Sequence, residues 1–136
     1  MKHSDKLDFV AVCDIVPENM ENALAKAGYQ KPIKKYTDYQ QMIKECQPDL
    51  VAIATDSGIH AEIGLFCLQN GCNVIIEKPI AMSIHDAQQL IDTAKAHNKV
   101  LCACHQNRFN KSIQKIRAAL EAGRFGKISH IAAHVR

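Results

Sequence analysis

"NVIIEKPIA", residues 73–81, sets three apolar residues, Val74-Ile75-Ile76, directly before an acid, a base and a proline. An unalternating apolar run this short suits a strand covered on both faces in a parallel sheet. Glu77, Lys78 and Pro79 then fall at the strand's carboxyl end, the edge at which open α/β sheets bind ligands. The stretch therefore predicts a sheet type and raises a question: are Glu77 and Lys78 solvated loop charges or part of a site?

The flanking sequence repeats the pattern. "DFVAVCD" (8–14) reads as a strand ending in an acid, and Pro17 suits the first turn of a helix over 17–28 that stops at Gly28. "KPIKKYT" (31–37) is a loop with room for a short strand, Asp38 can cap a helix over 39–46, and Pro48-Asp49 ends it. "LVAIAT" (50–55) is the next strand, and Ser57-Gly58 opens a helix that Gly71 closes. Ser83 with Asp86 resembles a capping box before 87–98, where Ala87, Leu90, Ile91 and Ala94 recur at helical spacing as one buried stripe. "KVLCAC" (99–104) reads as a strand. Asn110 can cap a helix over 111–123 whose apolar face carries Ile113, Ile116 and Leu120. "ISHIAAHV" (128–135) looks like one more strand, with His130 and His134 on one face. Strands alternating with helices imply a doubly wound α/β parallel sheet, because each parallel connection must cross over the sheet.

The totals fit one domain with an ordinary core: 136 residues, 47% hydrophobic, 23% charged, net charge +3. Basic residues are interleaved with acids and aromatics are few (Phe 4, Tyr 3, Trp 0), so neither a basic stripe nor a base-stacking platform for nucleic acid is present. No apolar stretch is long enough to span a membrane, and "MKHSDKLDF" lacks a signal-peptide core, so the expected compartment is the cytoplasm. Cys13, Cys102 and Cys104 fall in strand-like runs and Cys67 in a helix-like run, so they read as reduced, buried small hydrophobes. Cys102, Cys104 and His105 could suggest a metal, but no second ligand cluster at zinc spacing accompanies them, and none is expected.

One signature is missing. A dinucleotide-binding sheet begins with a strand running into G-x-G-x-x-G, and this chain contains no G-x-G. "GRFG" (123–126) follows a helix and serves its stop. The other half of that fingerprint is an acid ending the second strand, where it accepts from an adenosine ribose, and Asp14 ends the first strand seen here. Asp14 is either that acid, in which case the chain starts one strand–helix unit late, or a residue of the helix start behind Pro17.

Glu77-Lys78-Pro79 at a strand end, preceded by a Thr55-to-His60 segment and followed by "CHQNRFN" (104–110), resembles the Gfo/Idh/MocA oxidoreductases. The resemblance covers essentially the whole chain. "HQNRFNKSIQKIRAAL" and "ISHIAAHVR" look most like the sugar-nucleotide dehydrogenases that oxidise the 3-hydroxyl of a UDP-N-acetylhexosaminuronic acid. It implies a Rossmann-like sheet lacking its first strand and glycine-rich turn over 1–126, and the first strand of a truncated substrate domain over 127–136. It also implies NAD as cofactor, with NADP disfavoured by Asp14, a sugar or sugar-nucleotide substrate, and a homo-oligomeric full-length relative.

The resemblance further assigns roles. Lys78 matches the catalytic lysine that orients the reacting hydroxyl and also contacts cofactor and substrate. Glu77 matches the acid that holds the cofactor ribose and positions that lysine, and Pro79 fixes the turn. Thr55 and His60 match cofactor-lining positions, although His60 reads equally as a first-turn helix residue. Asp56 stands where proline is frequent, so it should face solvent. Gln106 and Asn107 match cofactor-side positions, Gln106 replacing a commoner asparagine, and Arg108 matches a substrate-side position or pairs with a surface carboxylate. A non-catalytic nucleotide-binding or interaction module is the alternative; a flavodoxin- or receiver-like domain fits the strand count but not the Glu77–Pro79 turn. A sheet short of its central strand predicts an isolated chain that is marginally folded or self-associating, binds NAD weakly and does not turn over.

Overall fold

The structure, a computed structural model, describes residues 6–132 and 134. Met1–Cys104 and His105–Arg136 are two compact units, each taken by itself. Among the described residues of the first, the order is β1 (Ala11–Cys13), α1 (Pro17–Lys26), β2 (Lys34–Tyr36), α2 (Tyr39–Cys46), β3 (Leu50–Ile53), α3 (His60–Gln69), β4 (Asn73–Ile76), α4 (Ile84–Ala96) and β5 (Leu101–Ala103). Every ladder is parallel. β1 pairs with β2, and β3-β4-β5 form a second sheet in which Val74 lies between Val51 and Leu101.

Local chemistry sets the helix ends as the sequence predicts. Pro17 starts α1 and Gly28, at φ +63°, follows its end. Asp38 Oδ1 accepts from Gln40 N–H at 2.8 Å, and Ser83 Oγ accepts from Asp86 N–H at 3.0 Å. Asn110 occupies the N-cap position of α5 (Lys111–Glu121), but its side chain makes no cap bond; its amide donates to Asn107 Oδ1 at 3.2 Å instead.

The arrangement of the two sheets follows from two neighbouring side chains. Lys35 reaches Glu21 of α1 at 2.6 Å, whereas Tyr36 is buried and its hydroxyl donates to Glu45 of α2 at 2.8 Å. Successive strand residues point to opposite faces, so α1 and α2 cover opposite faces of β1–β2. Because parallel crossovers are right-handed, consecutive crossovers on opposite faces run in opposite directions along the sheet. The chain leaves the first sheet through α2 and begins the second at β3. The α2, α3 and α4 layer is continuous: Tyr39 packs edge-on to Phe66 at 5.5 Å, and Ile43, Cys67, Leu68, Leu90 and Ala94 share one core with Val51, Ile53, Val74 and Ile76. Among the described residues no ladder joins β1 to β3.

Gly64 shows how tightly this layer sits on the sheet. A Cβ there would lie 2.8 Å from Leu90 Cδ2 and 2.9 Å from Ile76 Cδ1, both on fully buried side chains. Burial also pushes the Cys67 thiol up to about 12, which keeps it a neutral packing group.

Several sequence expectations need correction. Cys102 is exposed and Cys13 and Cys104 are half-buried; Cys67 and Cys72 are the fully buried thiols. Ile91 is 39% exposed, so the stripe of α4 narrows to Leu90 and Ala94 with Ala87 at its margin. In the second unit, a 3-10 turn at Gln106–Phe109 leads into α5, whose Ile113, Ile116 and Leu120 remain partly exposed. The strand predicted over 128–135 is not formed at 128–132 or at 134: β-propensity alone makes no strand without a ladder partner. His130 and His134 therefore share no strand face; 133, 135 and 136 lie outside the described residues.

Candidate functional site

Parallel strands deliver Thr55 and Glu77 to one edge of the β3-β4-β5 sheet, just past the carboxyl ends of β3 and β4, and Asp14 stands just past the carboxyl end of β1. Glu77 N–H donates to Ile53 O at 2.9 Å and Cys104 N–H to Ile76 O at 2.7 Å, so the turn after β4 leaves the sheet still hydrogen-bonded on both sides. Lys78-Pro79 is a cis peptide, and Lys78 is exposed. Beyond it Ile80 and Ala81 pack back onto the core, anchoring the turn's exit.

His60 ties this turn to its neighbour. At 1% exposure its Nδ1 lies 2.8 Å from Pro79 O and its Nε2 lies 3.0 Å from Thr55 O. Carbonyl oxygens only accept, so a neutral ring can donate to one of them and a doubly protonated ring to both. Both nitrogens are engaged within the protein, which makes His60 a strut between the loop after β3 and the turn after β4. The Thr-to-His spacing was visible in the sequence. What it braces was not, because Pro79 is brought over His60 only by the β3–β4 ladder.

Glu77 is half-buried and carries the electrostatic signature of the site. A hydrogen bond from Cys104, the Lys78 backbone N–H at 3.2 Å, and the nearby Lys78 and His60 hold its carboxyl below the usual carboxylate range. It is therefore an acceptor across the neutral range, beside an exposed ammonium. Cys104 as a partner of Glu77 escaped the sequence reading, which placed it as core.

Asp14 is half-buried and shapes the start of α1: its Oδ1 accepts from Val16 N–H at 2.8 Å and from the Asn19 amide at 3.1 Å, while Oδ2 meets the same amide at 3.2 Å. The N-cap itself is Val16, without a side-chain bond. A carboxylate offers about four lone-pair sites, so these contacts leave acceptor capacity for a further donor. Thr55 and Asp56 are exposed, the latter as its charge requires. Gln106, Asn107 and Arg108 lie in the second unit, exposed in its 3-10 turn, where Arg108 N–H donates to His105 O at 3.0 Å. An open depression of about 450 Å³ between Gln47, Asp49 and Gly71 lies at the opposite, amino end of β3 and β4, away from this edge. Among the described residues no His, Cys, Asp and Glu side chains gather as a metal-ligand group.

The Gfo/Idh/MocA profile, described as oxidoreductase family, NAD-binding Rossmann fold, matches residues 1–105. This chain belongs to the Gfo/Idh/MocA family. It is 32% identical over 122 residues to trans-1,2-dihydrobenzene-1,2-diol dehydrogenase of Xenopus tropicalis, covering 90% of this chain and 37% of that protein. It is 34% identical over 122 residues to D-glucoside 3-dehydrogenase of Escherichia coli K12, covering 90% and 34% respectively. The crystal structure of the WlbA dehydrogenase from Bordetella pertussis, in complex with NADH and UDP-GlcNAcA, superposes with a TM-score of 0.82 at 29% identity, over 93% of this chain and 35% of that one. The chain thus spans about a third of the length of these Gfo/Idh/MocA relatives. The parallel strands alternating with helices are the family's NAD-binding Rossmann fold.

Proposed function

We propose that the chain forms the nicotinamide side of an NAD-dependent dehydrogenase site for a sugar or sugar-nucleotide hydroxyl. The observation that carries this reading is the braced turn: Lys78 exposed at the carboxyl end of β4, with Glu77 held ionised beside it and His60 beneath. The donor set suits NAD. Asp14 has acceptor capacity for a ribose hydroxyl and its charge opposes a 2′-phosphate, while Glu77 offers a second ribose acceptor and Thr55 a hydroxyl. When bound, NAD supplies the hydride acceptor.

The protein's own groups do the rest. Lys78 orients the substrate hydroxyl and stabilises negative charge as it develops on that oxygen. Glu77 and Pro79 set the direction of Lys78, and His60 acts as a positioning residue because its ring has no nitrogen left for a ligand. By the family resemblance alone, Gln106 and Asn107 remain candidates for cofactor contact and Arg108 for substrate contact. The 3-hydroxyl of a UDP-N-acetylhexosaminuronic acid is the finer substrate proposal, supported by the likeness to a dehydrogenase solved with UDP-GlcNAcA.

Calorimetric titration tests the cofactor part. Asp14→Ala should weaken NAD about tenfold and NADP much less; equal loss for both would remove Asp14 from the ribose. In a protein that also carries a substrate domain, Lys78→Ala should lower kcat by two orders of magnitude or more with NAD binding retained, and near-normal turnover would return Lys78 to a surface charge. A nucleotide-binding or interaction module without turnover is the second reading, favoured by the unjoined β1 and β3 edges. Unchanged substrate and nicotinamide after prolonged incubation of such a protein would select it.

A further inference from the structure

Glu77 and Cys104 are neighbours in the strand register. β4 and β5 pair Ile75 with Cys102 and Ile76 with Ala103, and Cys104 N–H still donates to Ile76 O at 2.7 Å, so the next positions in step are Glu77 and Cys104. On the other side β3 pairs Ile53 with Ile76, and Glu77 N–H donates to Ile53 O at 2.9 Å, which sets Ala54 in step with Glu77. Val74 and Ile76 point into the core, so alternation along the strands puts Ala54, Glu77 and Cys104 together on the opposite face. Of the two side chains flanking Glu77, Ala54 has nothing to donate and Cys104 has a thiol.

That thiol donates to the Glu77 carboxylate, and the Lys78 N–H reaches Oε2 at 3.2 Å. A thiol is a weak donor, but an ionised acceptor makes the bond charge-assisted. The two donors differ in what they fix. Lys78 N–H belongs to the next residue of the same turn and moves with it. Cys104 stands on another strand and ties the carboxylate to the sheet. The titratable groups around the pair are Lys78 in the turn and His60 at the start of α3, while β3 contributes the Ile53 carbonyl.

We propose that Cys104 is a positioning residue, whose thiol anchors the Glu77 carboxylate to β5 and leaves its remaining lone pairs for the paired hydroxyls of a cofactor ribose. Two of about four lone-pair sites are taken by Cys104 and Lys78, so acceptor capacity for such a pair is retained. The ribose half of the proposal rests on the dehydrogenase reading above; the anchoring of Glu77 does not.

The test follows the Glu77 carboxyl by carbon-13 nuclear magnetic resonance in the whole chain, its signal assigned by loss in Glu77→Gln. Cys104→Ala should move the titration midpoint upward, and Cys104→Ser, which keeps a donor, should hold it near the native position. One midpoint shared by all three proteins would overturn the anchor. Alkylation covers the case in which the alanine variant does not fold. Glu77→Gln should speed iodoacetamide labelling of Cys104, read by peptide mass spectrometry, about threefold or more, because the thiolate loses an anionic neighbour. An unchanged rate would also overturn the anchor. By calorimetry, Cys104→Ala should weaken NAD about fivefold and Cys104→Ser should restore it. Equal NAD affinity despite a moved midpoint would overturn the positioning role. A native chain that binds no NAD, with the midpoint still moved by Cys104→Ala, would sink the dehydrogenase reading and support the anchor.

Discussion

At the scale of single residues, His60 and Glu77 define the site through what they hold in place. Replacing His60 by Leu removes the ring that spans the Pro79 and Thr55 carbonyls and leaves at least one part-buried acceptor without its donor, at a cost of about 1–3 kcal/mol. Urea unfolding should show a lower midpoint with an unchanged m value. His60→Gln keeps an amide donor and should recover part of the loss. Glu77 gives a pH prediction. Its folded-state carboxyl is held below the ordinary value of 4.5, so its contribution is complete above that value and is lost as the pH falls through the lowered one. Melting temperature against pH should therefore decline on the acid side, and Glu77→Gln should flatten that decline while leaving the neutral plateau slope unchanged. An acid limb identical in both proteins would assign it to other carboxylates.

At the scale of elements, α3 owes its close seat on the sheet to the missing side chain at Gly64. A helix interior ordinarily gains up to about 1 kcal/mol when Gly becomes Ala. Here that gain is opposed by the fully buried ends of Leu90 and Ile76, which a Cβ would meet at 2.8 and 2.9 Å. A larger β-branched side chain has little propensity gain to offset the overpacking. Gly64→Val should thus destabilise by about 1–3 kcal/mol, read from denaturant midpoints, whereas Gly64→Ala should stay close to neutral. Gly28 and Gly123, with open space around them and φ of +63° and +68°, have a conformational rather than a packing reason to be glycine.

At the scale of the molecule, stability is linked to binding. Any group that binds the folded state alone raises stability by mass action, about 2.7 kcal/mol at a hundred times its dissociation constant. If the chain binds NAD as proposed, NAD should therefore raise the thermal midpoint in proportion to the logarithm of its concentration, and Asp14→Ala should reduce that rise. A midpoint indifferent to NAD would mean that the folded chain does not hold it.

The sequence alone determined the features whose physics is local or periodic. Pro17, Gly28, Asp38 and Ser83 mark helix ends through backbone restriction and capping bonds that involve neighbours a few residues away. Val/Ile runs between amphipathic helices identify parallel strands, and the position of Glu77-Lys78-Pro79 after such a run places it at the ligand edge of the sheet. Tertiary structure alone decided whatever depends on partners distant in the chain. Predicted strand 128–135 is not built at 128–132 or 134, since pairing and not propensity makes a strand. Cys102 and Cys67 look alike in apolar runs, yet Cys67 lies on α3 within the core while Cys102 lies on β5 where no described residue buries it, so one thiol is fully buried and the other exposed. His60 became a strut only because pairing of Leu50–Ile53 with Asn73–Ile76 brings a carbonyl nineteen residues away to within hydrogen-bond reach of its ring.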